Sequence, residues 1–594
     1  MLQTPPPPPI AFVDATADVG MAARPEGRLA LADLNGDGRP DLALARRAVL
    51  LNTVDAAAPR GWRFVPVAVT LPDMGATAVT AFADFDNDGR CDAIVARDGE
   101  AKDAAAKDAA PATTAAVVFC RGRGDGTFDA AVPIAGLAPT HAAALAVGDA
   151  NGDGLPDFYR GNWYREYGKA LDAPAGDLML QVAPATQPPT WMRAPLPEDA
   201  HAFDEEHDAA GRPTYGAMIA RLGDPVRPPV VAQLNYGRRW NRLYARGAGG
   251  AWADVAPAVG FDGDADRTGA YPAWLLERAK TDTRFPTEPE KPFRSNGNTF
   301  DMAVGDVDGD GLFDCFVVEI THAWAGPSAD RSRFLVARRA ETPIGVRFES
   351  PAWANVDRNP AAGQPGERNW NQGDLFAELA DLDNDGRLDL VLASGDYPDP
   401  PPFDERLRVL RQRAVPGPDG RLFEDVTATS GINLRGAAQL AVGDLDLDGD
   451  VDIVCGQSFT RFTPDMVKAE GGTPHLRVLL NQAAERGAPG TTLVLRGDPG
   501  AGVARDALGA VVTARVPAGT GAAGAARTAV AQVRSPGGHS GKQGAMQVHV
   551  GGTPAGTTFA LPPGVTARAF PERPSGTGNQ PTAPAGNSLD SPPR

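Results

Sequence analysis

Six short segments of the chain carry aspartates at fixed spacing, in the pattern D-x-[DN]-x-D-G-x-x-D. They begin at Asp33, Asp84, Asp149, Asp306, Asp381 and Asp444, and each lies between two apolar runs. Carboxylates this close repel one another unless a cation lies among them. Oxygen-bearing side chains at positions 1, 3 and 5 point to one centre, glycine at position 6 permits a sharp turn, and the carbonyl of position 7 faces inward. The pattern therefore predicts an oxygen cage for a hard divalent cation.

An aspartate at position 9 is predicted to close each cage. An EF-hand would instead need glutamate at position 12, but the six segments have Leu44, Val95, Arg160, Val317, Leu392 and Cys455 there. The loop is therefore expected to join two strands, and its ligand set, which contains no His or Cys, favours calcium over zinc or copper. We expect about six calcium ions. The predicted metal residues are Asp33, Asn35, Asp37, Arg39, Asp41, Asp84, Asp86, Asp88, Arg90, Asp92, Asp149, Asn151, Asp153, Leu155, Asp157, Asp306, Asp308, Asp310, Leu312, Asp314, Asp381, Asp383, Asp385, Arg387, Asp389, Asp444, Asp446, Asp448, Asp450 and Asp452.

The distribution of charge supports the same interpretation. The chain has a formal net charge of −18, and 22 of its 75 acidic side chains stand at positions 1, 3, 5 and 9 of the six segments. Solvated acidic turns would not need glycine at position 6 and aspartate at position 9 every time. Calcium binding is therefore expected to contribute to the free energy of folding. The negative net charge also argues against a nucleic acid partner.

The elements that position these loops are predicted to be strands. Short apolar runs recur between turns rich in Gly, Asp and Pro across the 594 residues, which favours an all-β protein. The six segments are spaced by 51, 65, 157, 75 and 63 residues, so the longest gap fits two repeats, one without a cage. Asp224 stands at the first ligand position of that unit. An aromatic residue opens a further short strand about 20 residues before each unit: Phe12, Phe64, Phe128, Trp191, Trp252, Phe348 and Phe423.

These repeats, with the turn "GRGDGTF" at 122–128, resemble the FG-GAP/VCBS family of calcium-loop β-propellers. The resemblance implies a seven-bladed propeller over residues 10–485, with four strands in each blade and the cage between the first two. The strand from Phe12 has no partners before it, and the last repeat lacks a fourth strand. We therefore expect the N-terminal strand to complete the last blade and hide both sheet edges.

A small β domain is expected to follow at residues 490–570. Its segments "RDALGAVVTARV" and "GGHSGKQGAMQVHVGG" resemble the ASPIC/UnbV domain, although the final Trp-Pro segment of that domain is absent. Residues 1–9 form a proline-rich segment, and the composition of residues 571–594 predicts a disordered tail. An insertion at 262–300 contains a predicted helix within "AYPAWLLERAKTD".

The longer loops of the predicted propeller converge on the face opposite the cages. They carry aromatic, guanidinium and amide groups, which suit sugars, particularly acidic ones, or an anionic peptide. The alternative is that these loops bury their own aromatics and pair each Arg with a nearby Asp. The predicted ligand-binding residues are Trp163, Arg165, Arg238, Trp240, Arg294, His322, Trp324, Arg368, Trp370 and Arg461.

Three functions remain open from the sequence. The first is a calcium-stabilised, non-catalytic binding or adhesion module for a glycan or protein on an extracellular surface. The second is a carbohydrate-active enzyme, a lyase or hydrolase of acidic polysaccharide, in which His322 works with Glu319 or Asp396, or the run 204–208 supplies acid and base. The third is a purely structural surface protein. The sequence carries no nucleophile elbow or P-loop.

The sequence also bears on the cellular location and the oligomeric state of the protein. No apolar run approaches the length of a membrane span, and no signal peptide is visible, so the chain is either cytosolic or a mature or truncated form. The family resemblance favours a secreted, periplasmic or cell-surface monomer. Four cysteines exclude a disulfide-built scaffold, although Cys91 and Cys120 could lie close enough for a single bridge, while Cys315 and Cys455 are expected to be buried thiols.

Overall fold

The computed structural model describes most of the chain. The described residues are 10–22, 24–44, 48–75, 78–97, 115–169, 171–182, 188–283, 285, 288–358, 371–396, 404–518 and 526–571. The predicted proline-rich segment at 1–9 and the tail after residue 571 lie outside them, as do Arg368 and Trp370.

The ring is built from seven antiparallel four-stranded units, here called blades; five of them are separate sheets, and the fifth and sixth are joined into one eight-stranded sheet. Blades 1 to 3 contain β2 (Leu29–Ala32), β3 (Asp41–Leu44), β4 (Val49–Val54) and β5 (Trp62–Pro66); β6 (Val79–Ala83), β7 (Asp92–Ala96), β8 (Val117–Cys120) and β9 (Val132–Pro133); and β10 (Ala142–Gly148), β11 (Asp157–Asn162), β12 (Asp177–Gln181) and β13 (Trp191–Ala194). Blades 4 and 5 contain β14 (Thr214–Ala220), β15 (Val230–Asn235), β16 (Arg242–Arg246) and β17 (Trp252–Asp254), then β18 (Asn298–Gly305), β19 (Asp314–His322), β20 (Arg333–Arg339) and β21 (Val346–Glu349). Blades 6 and 7 contain β22 (Asn371–Ala380), β23 (Asp389–Asp396), β24 (Asp404–Gln412) and β25 (Phe423–Asp425), then β26 (Ala437–Gly443), β27 (Asp452–Gln457), β28 (Arg477–Asn481) and β1 (Phe12–Asp14).

The sheets form a closed ring. The first strand of each blade contacts the first strand of the next, and β26 of the last blade contacts β2 of the first. The N-terminal strand β1 pairs antiparallel with β28, with Phe12 opposite Asn481 and Asp14 opposite Leu479. The predicted all-β propeller, closed by the N-terminal strand, is therefore confirmed. This closure pairs the outer edge of blade 7, which would otherwise stay exposed.

Apolar side chains from neighbouring blades pack together between the sheets. One such cluster joins blades 4 and 5 through Leu234, Leu243, Val317 and Leu335, and also buries Phe261 from the connection between these blades. The inner strands of each blade are short runs rich in Val, Leu and Ala, because neighbouring blades cover both of their faces. The ring is therefore a series of sheet-on-sheet cores rather than one central core.

Two three-stranded sheets follow the ring. They consist of β29 (Gly490–Gly497), β32 (Gln547–Gly551) and β34 (Val565–Phe570), and of β30 (Val511–Val516), β31 (Arg527–Gln532) and β33 (Thr558–Ala560). Their shared core includes Leu493, Val512, Phe559 and Val565. The α-helices in the described part of the chain are short: α1 (Ala256–Val259), α2 (Ala273–Ala279) and α3 (Pro464–Ala469). Single 3-10 turns span Pro197–Ala200, Pro292–Arg294, Ala323–Ser328, Ala352–Ala354, Pro499–Ala501 and His539–Gly541.

The connection between β31 and β32 enters the centre of the ring; residues 534–545 are called the channel segment below. Backbone or side-chain contacts link it to the first strand of every blade: Gln543 to Leu31 and Phe82, Pro536 to Val147, Gly538 to Ala217, Lys542 to Asp301 and Ala377, and Ala545 to Val442. The sequence suggested only a glycine-rich turn here. The centre of the propeller is therefore filled by the C-terminal region.

All four cysteines are buried and free. The bridge that the sequence allowed between Cys91 and Cys120 is not formed. In the part of the chain that the structure describes, no helix has the length and apolar character needed to cross a membrane.

Candidate functional site

The six aspartate loops connect the first and second strands of blades 1, 2, 3, 5, 6 and 7. In each loop the first aspartate accepts backbone N–H groups from later in the loop; the carboxylate of Asp33 accepts from Gly36 at 2.8 Å and Gly38 at 3.0 Å. The glycine at position 6 has a positive φ in every loop, between 82° and 94°. This left-handed conformation favours glycine and explains why position 6 does not vary among the six loops.

The aspartate at position 9 holds the loop to the blade. It is the first residue of the second strand, and its two oxygens accept separate backbone N–H groups. For Asp452 these come from Leu445 in the loop at 2.9 Å and from Asn481 on the third strand at 2.8 Å. Asp41, Asp92, Asp157, Asp314 and Asp389 make the equivalent pair of bonds. The sequence suggested a metal ligand at position 9 but gave no sign of this second role.

The carboxylates of each loop are close enough to share an ion. In at least four loops, three aspartates offer oxygens within 4.8 Å of one another: Asp84, Asp86 and Asp92; Asp306, Asp308 and Asp314; Asp381, Asp383 and Asp385; Asp444, Asp446 and Asp452. Asp306 Oδ1, Asp383 Oδ1 and Asp446 Oδ1 are buried and receive no hydrogen bond. Buried oxygens without donors fit a calcium ion, for which oxygen is the preferred ligand.

The electrostatics of the loops also suit a cation. Burial, followed by the repulsion of neighbouring carboxylates, raises the pKa of Asp84 and Asp444 to about 8. The pKa of Asp306 rises to about 7, mainly because the group is buried. A bound divalent ion would favour the charged form of each group and remove this penalty.

Arginines in or directly after the third strands contact several of the loops. Arg121 lies 2.8 Å from Asp86, Arg338 lies 2.7 Å from Asp308, and Arg411 lies 2.5 Å from Asp383. These guanidinium groups contact carboxylates at positions 3 and 5 and so reduce the charge that an ion has to balance.

The C-terminal sheets contact the same face of the ring. Arg496 lies 2.8 Å from Asp33, the backbone N–H of Arg505 donates to Asn87 Oδ1 at 2.8 Å, and His549 Nε2 lies 2.8 Å from Asn384 Oδ1. These partners belong to the loops of blades 1, 2 and 6. Ion binding in the loops and docking of the C-terminal region therefore involve neighbouring residues.

A cavity of about 330 Å³ opens on the opposite face. It is lined by Tyr164, Tyr167, Gly168, Lys169, Leu171, Tyr236, Gly237, Arg238, Arg294, Asn298, His322 and Trp324. The structure thus brings together four of the predicted ligand residues, Arg238, Arg294, His322 and Trp324, on loops from blades 4 and 5. Tyr167 and Lys169 were not among the predicted residues, although they lie in the loop "GNWYREYGK", which also contains the predicted Trp163 and Arg165.

The cationic groups of the cavity are held in defined orientations. Arg238 Nη2 lies 2.9 Å from Glu290, and its guanidinium group lies 5.1 Å from the centre of the Trp324 ring. Arg294 shares the same Glu290 carboxylate at 3.2 Å. The His322 ring stacks on Trp324, and burial, with smaller effects from Arg238 and Arg461, lowers the pKa of His322 to about 4. His322 is therefore neutral at physiological pH.

The other predicted ligand residues lie outside the lining of this cavity. Trp163 stacks on Tyr167 with ring centres 5.7 Å apart, so it supports the cavity from behind. Arg165 pairs with Asp172, Arg461 pairs with Glu405, and Trp240 donates to Ser295 Oγ at 3.2 Å. Arg368 and Trp370 fall in 359–370, outside the described residues.

The acid–base partners considered for His322 have other roles. Asp396 pairs with Arg358 at 2.9 Å and with Arg408 at 3.0 Å. Glu319 is three positions from His322 on β19, and side chains at that separation point to opposite sides of a strand. In the run 204–208, Asp204 pairs with the exposed His207, whereas Asp208 is buried against Arg212 and Arg239.

Comparisons with known proteins address the repeats. Three segments match the FG-GAP-like repeat, at residues 33–95, 84–159 and 380–455. No curated protein matches the chain. Similar solved structures include a lectin from Agrocybe aegerita that recognises non-reducing terminal N-acetylglucosamine, at 13% identity and a TM-score of 0.33, covering 66% of this chain and 82% of the lectin. The exotype rhamnogalacturonan lyase YesX is 13% identical at a TM-score of 0.28, covering 79% and 75% of the two chains. Similarities this low tell nothing about the ligand, and the identification rests on the repeats: the chain carries FG-GAP-like repeats, which span five of its six aspartate loops.

Proposed function

We propose that this protein is a calcium-stabilised, non-catalytic binding module that recognises acidic glycans in the cavity opposite the aspartate loops. The observation that carries the proposal is the combination of exposed aromatic surface and fixed cationic groups in one cavity. Its volume of about 330 Å³ lies at the lower end of the range for ligand pockets, about 300–1,000 Å³.

The aromatic side chains supply flat apolar surface for a sugar ring. The Tyr167 side chain is 64% exposed, which is unusual for a large aromatic group, and its ring is supported by Trp163. Exposed aromatic surface next to polar groups commonly marks an interaction site. A pyranose ring could therefore stack on Tyr167 without rearrangement of the loop.

The cationic groups favour an acidic partner. Lys169 is exposed, Arg294 is half-buried, and both line the cavity. Lys169 pairs with Glu166, which is exposed, and Arg294 pairs with Glu290, which it shares with Arg238. A carboxylate or sulfate on the ligand would add a charge-assisted hydrogen bond here. Carbohydrate cleavage is the alternative outcome of the test below.

The aspartate loops would serve the module indirectly. We infer that each holds one calcium ion, about six in all, and that the ions fix the blades that present the binding loops. Because loops of this kind suit settings rich in calcium, we place the protein outside the cytoplasm, as a secreted, periplasmic or cell-surface monomer with its C-terminal β domain at 490–570. The resemblance of that domain to ASPIC/UnbV also stays part of this proposal.

Binding to an array of acidic oligosaccharides, followed by calorimetry with the best binder, tests the proposal. Tyr167→Ala is expected to weaken binding about tenfold because it removes about 1.4 kcal/mol of stacking. Lys169→Ala should also weaken glycan binding and should make the affinity less sensitive to salt, because it removes a positive charge from the cavity. Arg165→Ala is the matched control, because Arg165 lies in the same loop but does not line the cavity.

Unchanged affinity in a Tyr167→Ala/Lys169→Ala double variant would reject the cavity as the binding site. Release of oligosaccharide fragments from acidic polysaccharide, abolished by His322→Ala, would instead favour the enzyme.

A further inference from the structure

Three buried oxygens on the cavity side of blade 5 receive no hydrogen bond: Asn296 Oδ1, Glu319 Oε2 and Asp330 Oδ1. Their residues are 0%, 0% and 1% exposed. Leaving a buried oxygen without a hydrogen-bond donor destabilises the folded state, so three such oxygens in one region need a physical explanation.

The backbone of two glycines borders the three residues that carry these oxygens. A Cβ atom at Gly263 would lie 3.0 Å from Asn296 Oδ1 and 3.3 Å from Asp330 Oδ2. A Cβ atom at Gly297 would lie 2.2 Å from Glu319 Oε2 and 3.1 Å from the carbonyl oxygen of Asp330. Asn296 and Asp330 are therefore neighbours at Gly263, Glu319 and Asp330 are neighbours at Gly297, and a side chain at either glycine would crowd them.

The remaining atoms of these side chains are fixed by hydrogen bonds. Glu319 Oε1 accepts from Thr299 Oγ1 at 2.7 Å, and Asp330 Oδ2 accepts from the backbone N–H of Asp264 at 2.8 Å. Asn296 Nδ2 donates to two carbonyl oxygens, those of Arg239 at 2.9 Å and Asp262 at 3.2 Å. A flipped amide would place Asn296 Oδ1 against these carbonyls, so the orientation of Oδ1 towards the cluster is determined.

The charges of the cluster do not balance. When ionised, Asp264, Glu319 and Asp330 contribute three carboxylates, and the cation among the main charges acting on Glu319 is Arg333, which lies 2.7 Å from Asp330 Oδ2. The deficit of two positive charges equals the charge of one divalent ion. All the atoms that could bind the ion are oxygens, and oxygen ligands favour a hard cation such as calcium over zinc or copper.

We propose that Asn296, Glu319 and Asp330 form a further Ca²⁺ site, separate from the six aspartate loops and on the other face of the ring. Asp264, which is exposed and whose backbone N–H donates to Asp330 Oδ2, would supply a fourth oxygen ligand. The site would join the connection between β17 and β18 to strand β19 and to the segment before β20. Because the backbone N–H of Asn296 donates to Arg238 O at 3.1 Å, the ion would also fix the segment that carries Arg238 and Arg294 to the cavity.

A crystal of the full chain soaked in Tb³⁺, which replaces Ca²⁺ and scatters anomalously, tests the site directly. The expected result is an anomalous peak bounded by Asn296, Glu319 and Asp330, in addition to peaks in the aspartate loops. Peaks in the loops with none at this position would overturn the proposal and leave the carboxyl groups protonated instead.

Calcium content per chain, measured by mass spectrometry after equilibrium dialysis, gives an independent test in solution. A Glu319→Gln/Asp330→Asn variant is expected to hold one calcium ion fewer than the natural chain. Asp306→Asn removes a ligand from an aspartate loop and is also expected to hold one ion fewer. Asp224→Asn, in the blade without a loop site, is the control that should lose none. A folded Glu319→Gln/Asp330→Asn variant with the full calcium content would contradict the proposal; if that variant does not fold, the Tb³⁺ crystal decides.

Discussion

The ammonium group of Lys542 lies 2.7 Å from the carboxylate of Asp301 at the centre of the ring, where both side chains are buried. Lys542 belongs to the channel segment and Asp301 to the first strand of blade 5. Glu378 of blade 6 lies 3.4 Å from the same ammonium group. The attraction of Asp301 and Glu378 outweighs the effect of burial and raises the pKa of Lys542 above its ordinary value. One lysine thus neutralises acidic groups from two blades.

Replacing Lys542 by Met is expected to destabilise the protein by about 3–5 kcal/mol, because it leaves the Asp301 carboxylate buried without its partner. Chemical denaturation followed by circular dichroism measures the change. Lys468→Met, at an exposed position on α3, is the control and should change stability by less than about 0.5 kcal/mol. Adding Asp301→Asn to Lys542→Met should recover part of the loss; no recovery would mean that the cost arises from packing alone.

Calcium is expected to stabilise the protein through the aspartate loops. Each site contributes about 2.7 kcal/mol when the free calcium concentration is 100 times its dissociation constant. The melting temperature should therefore rise with calcium and fall with chelator, and Asp306→Asn should reduce the rise. Asp224→Asn is matched to it, because Asp224 holds the same loop position in blade 4 and pairs with Arg339 instead. Equal calcium responses in these two variants would argue against an ion at Asp306.

The metal-free protein is expected to lose stability as the pH rises from 6.5 to 8.5. The pKa of Asp41, Asp84 and Asp444 is raised to about 8, so the folded state keeps protons that the unfolded chain has already lost above pH 4. Stability contributed by such groups disappears as the pH passes through the folded pKa. The pKa of His322 is lowered to about 4, so this histidine does not titrate in the window when folded.

Thermal melts of metal-stripped protein at the two pH values measure the effect. With saturating calcium the decrease should vanish, because the ion replaces the protons. A metal-free protein that is more stable at pH 8.5 than at pH 6.5 would contradict the electrostatic account of the loops.

The four cysteines are expected to be unreactive in the native protein. Burial raises the pKa of the Cys120 and Cys455 thiols to about 12 and that of Cys91 well above its ordinary value, so little thiolate forms. A colorimetric thiol reagent should detect no thiols in the native protein and four in guanidinium chloride. Fewer than four under denaturing conditions, restored by a reductant, would indicate a disulfide.

The sequence predicted the ring because its signals are local. Glycine at position 6 meets a requirement of its own backbone, such as the φ of 90° at Gly38, and one oxygen of the aspartate at position 9 binds an N–H group of the same loop. The closing strand at Phe12 could be predicted because the repeat count left one strand missing.

The channel segment could not be predicted in the same way. In "GGHSGKQG" a lysine between glycines is typical of an exposed turn, and its burial depends on Asp301 and Glu378, which lie more than 150 residues away in the chain. The cavity was predicted in part: the loops "GNWYREYG" and "NYGRRWN" indicated aromatic and cationic groups, but which side chains turn inward depends on contacts such as that between Arg238 and Glu290.

The channel segment has a consequence for how the chain folds during synthesis. Residues 534–545 leave the ribosome after all seven blades, yet they occupy the place where the blades meet. Until translation reaches this point, Asp301 and Glu378 have no lysine between them and must stay hydrated. A nascent chain that has completed every blade therefore still lacks the residues that fill the middle of its ring.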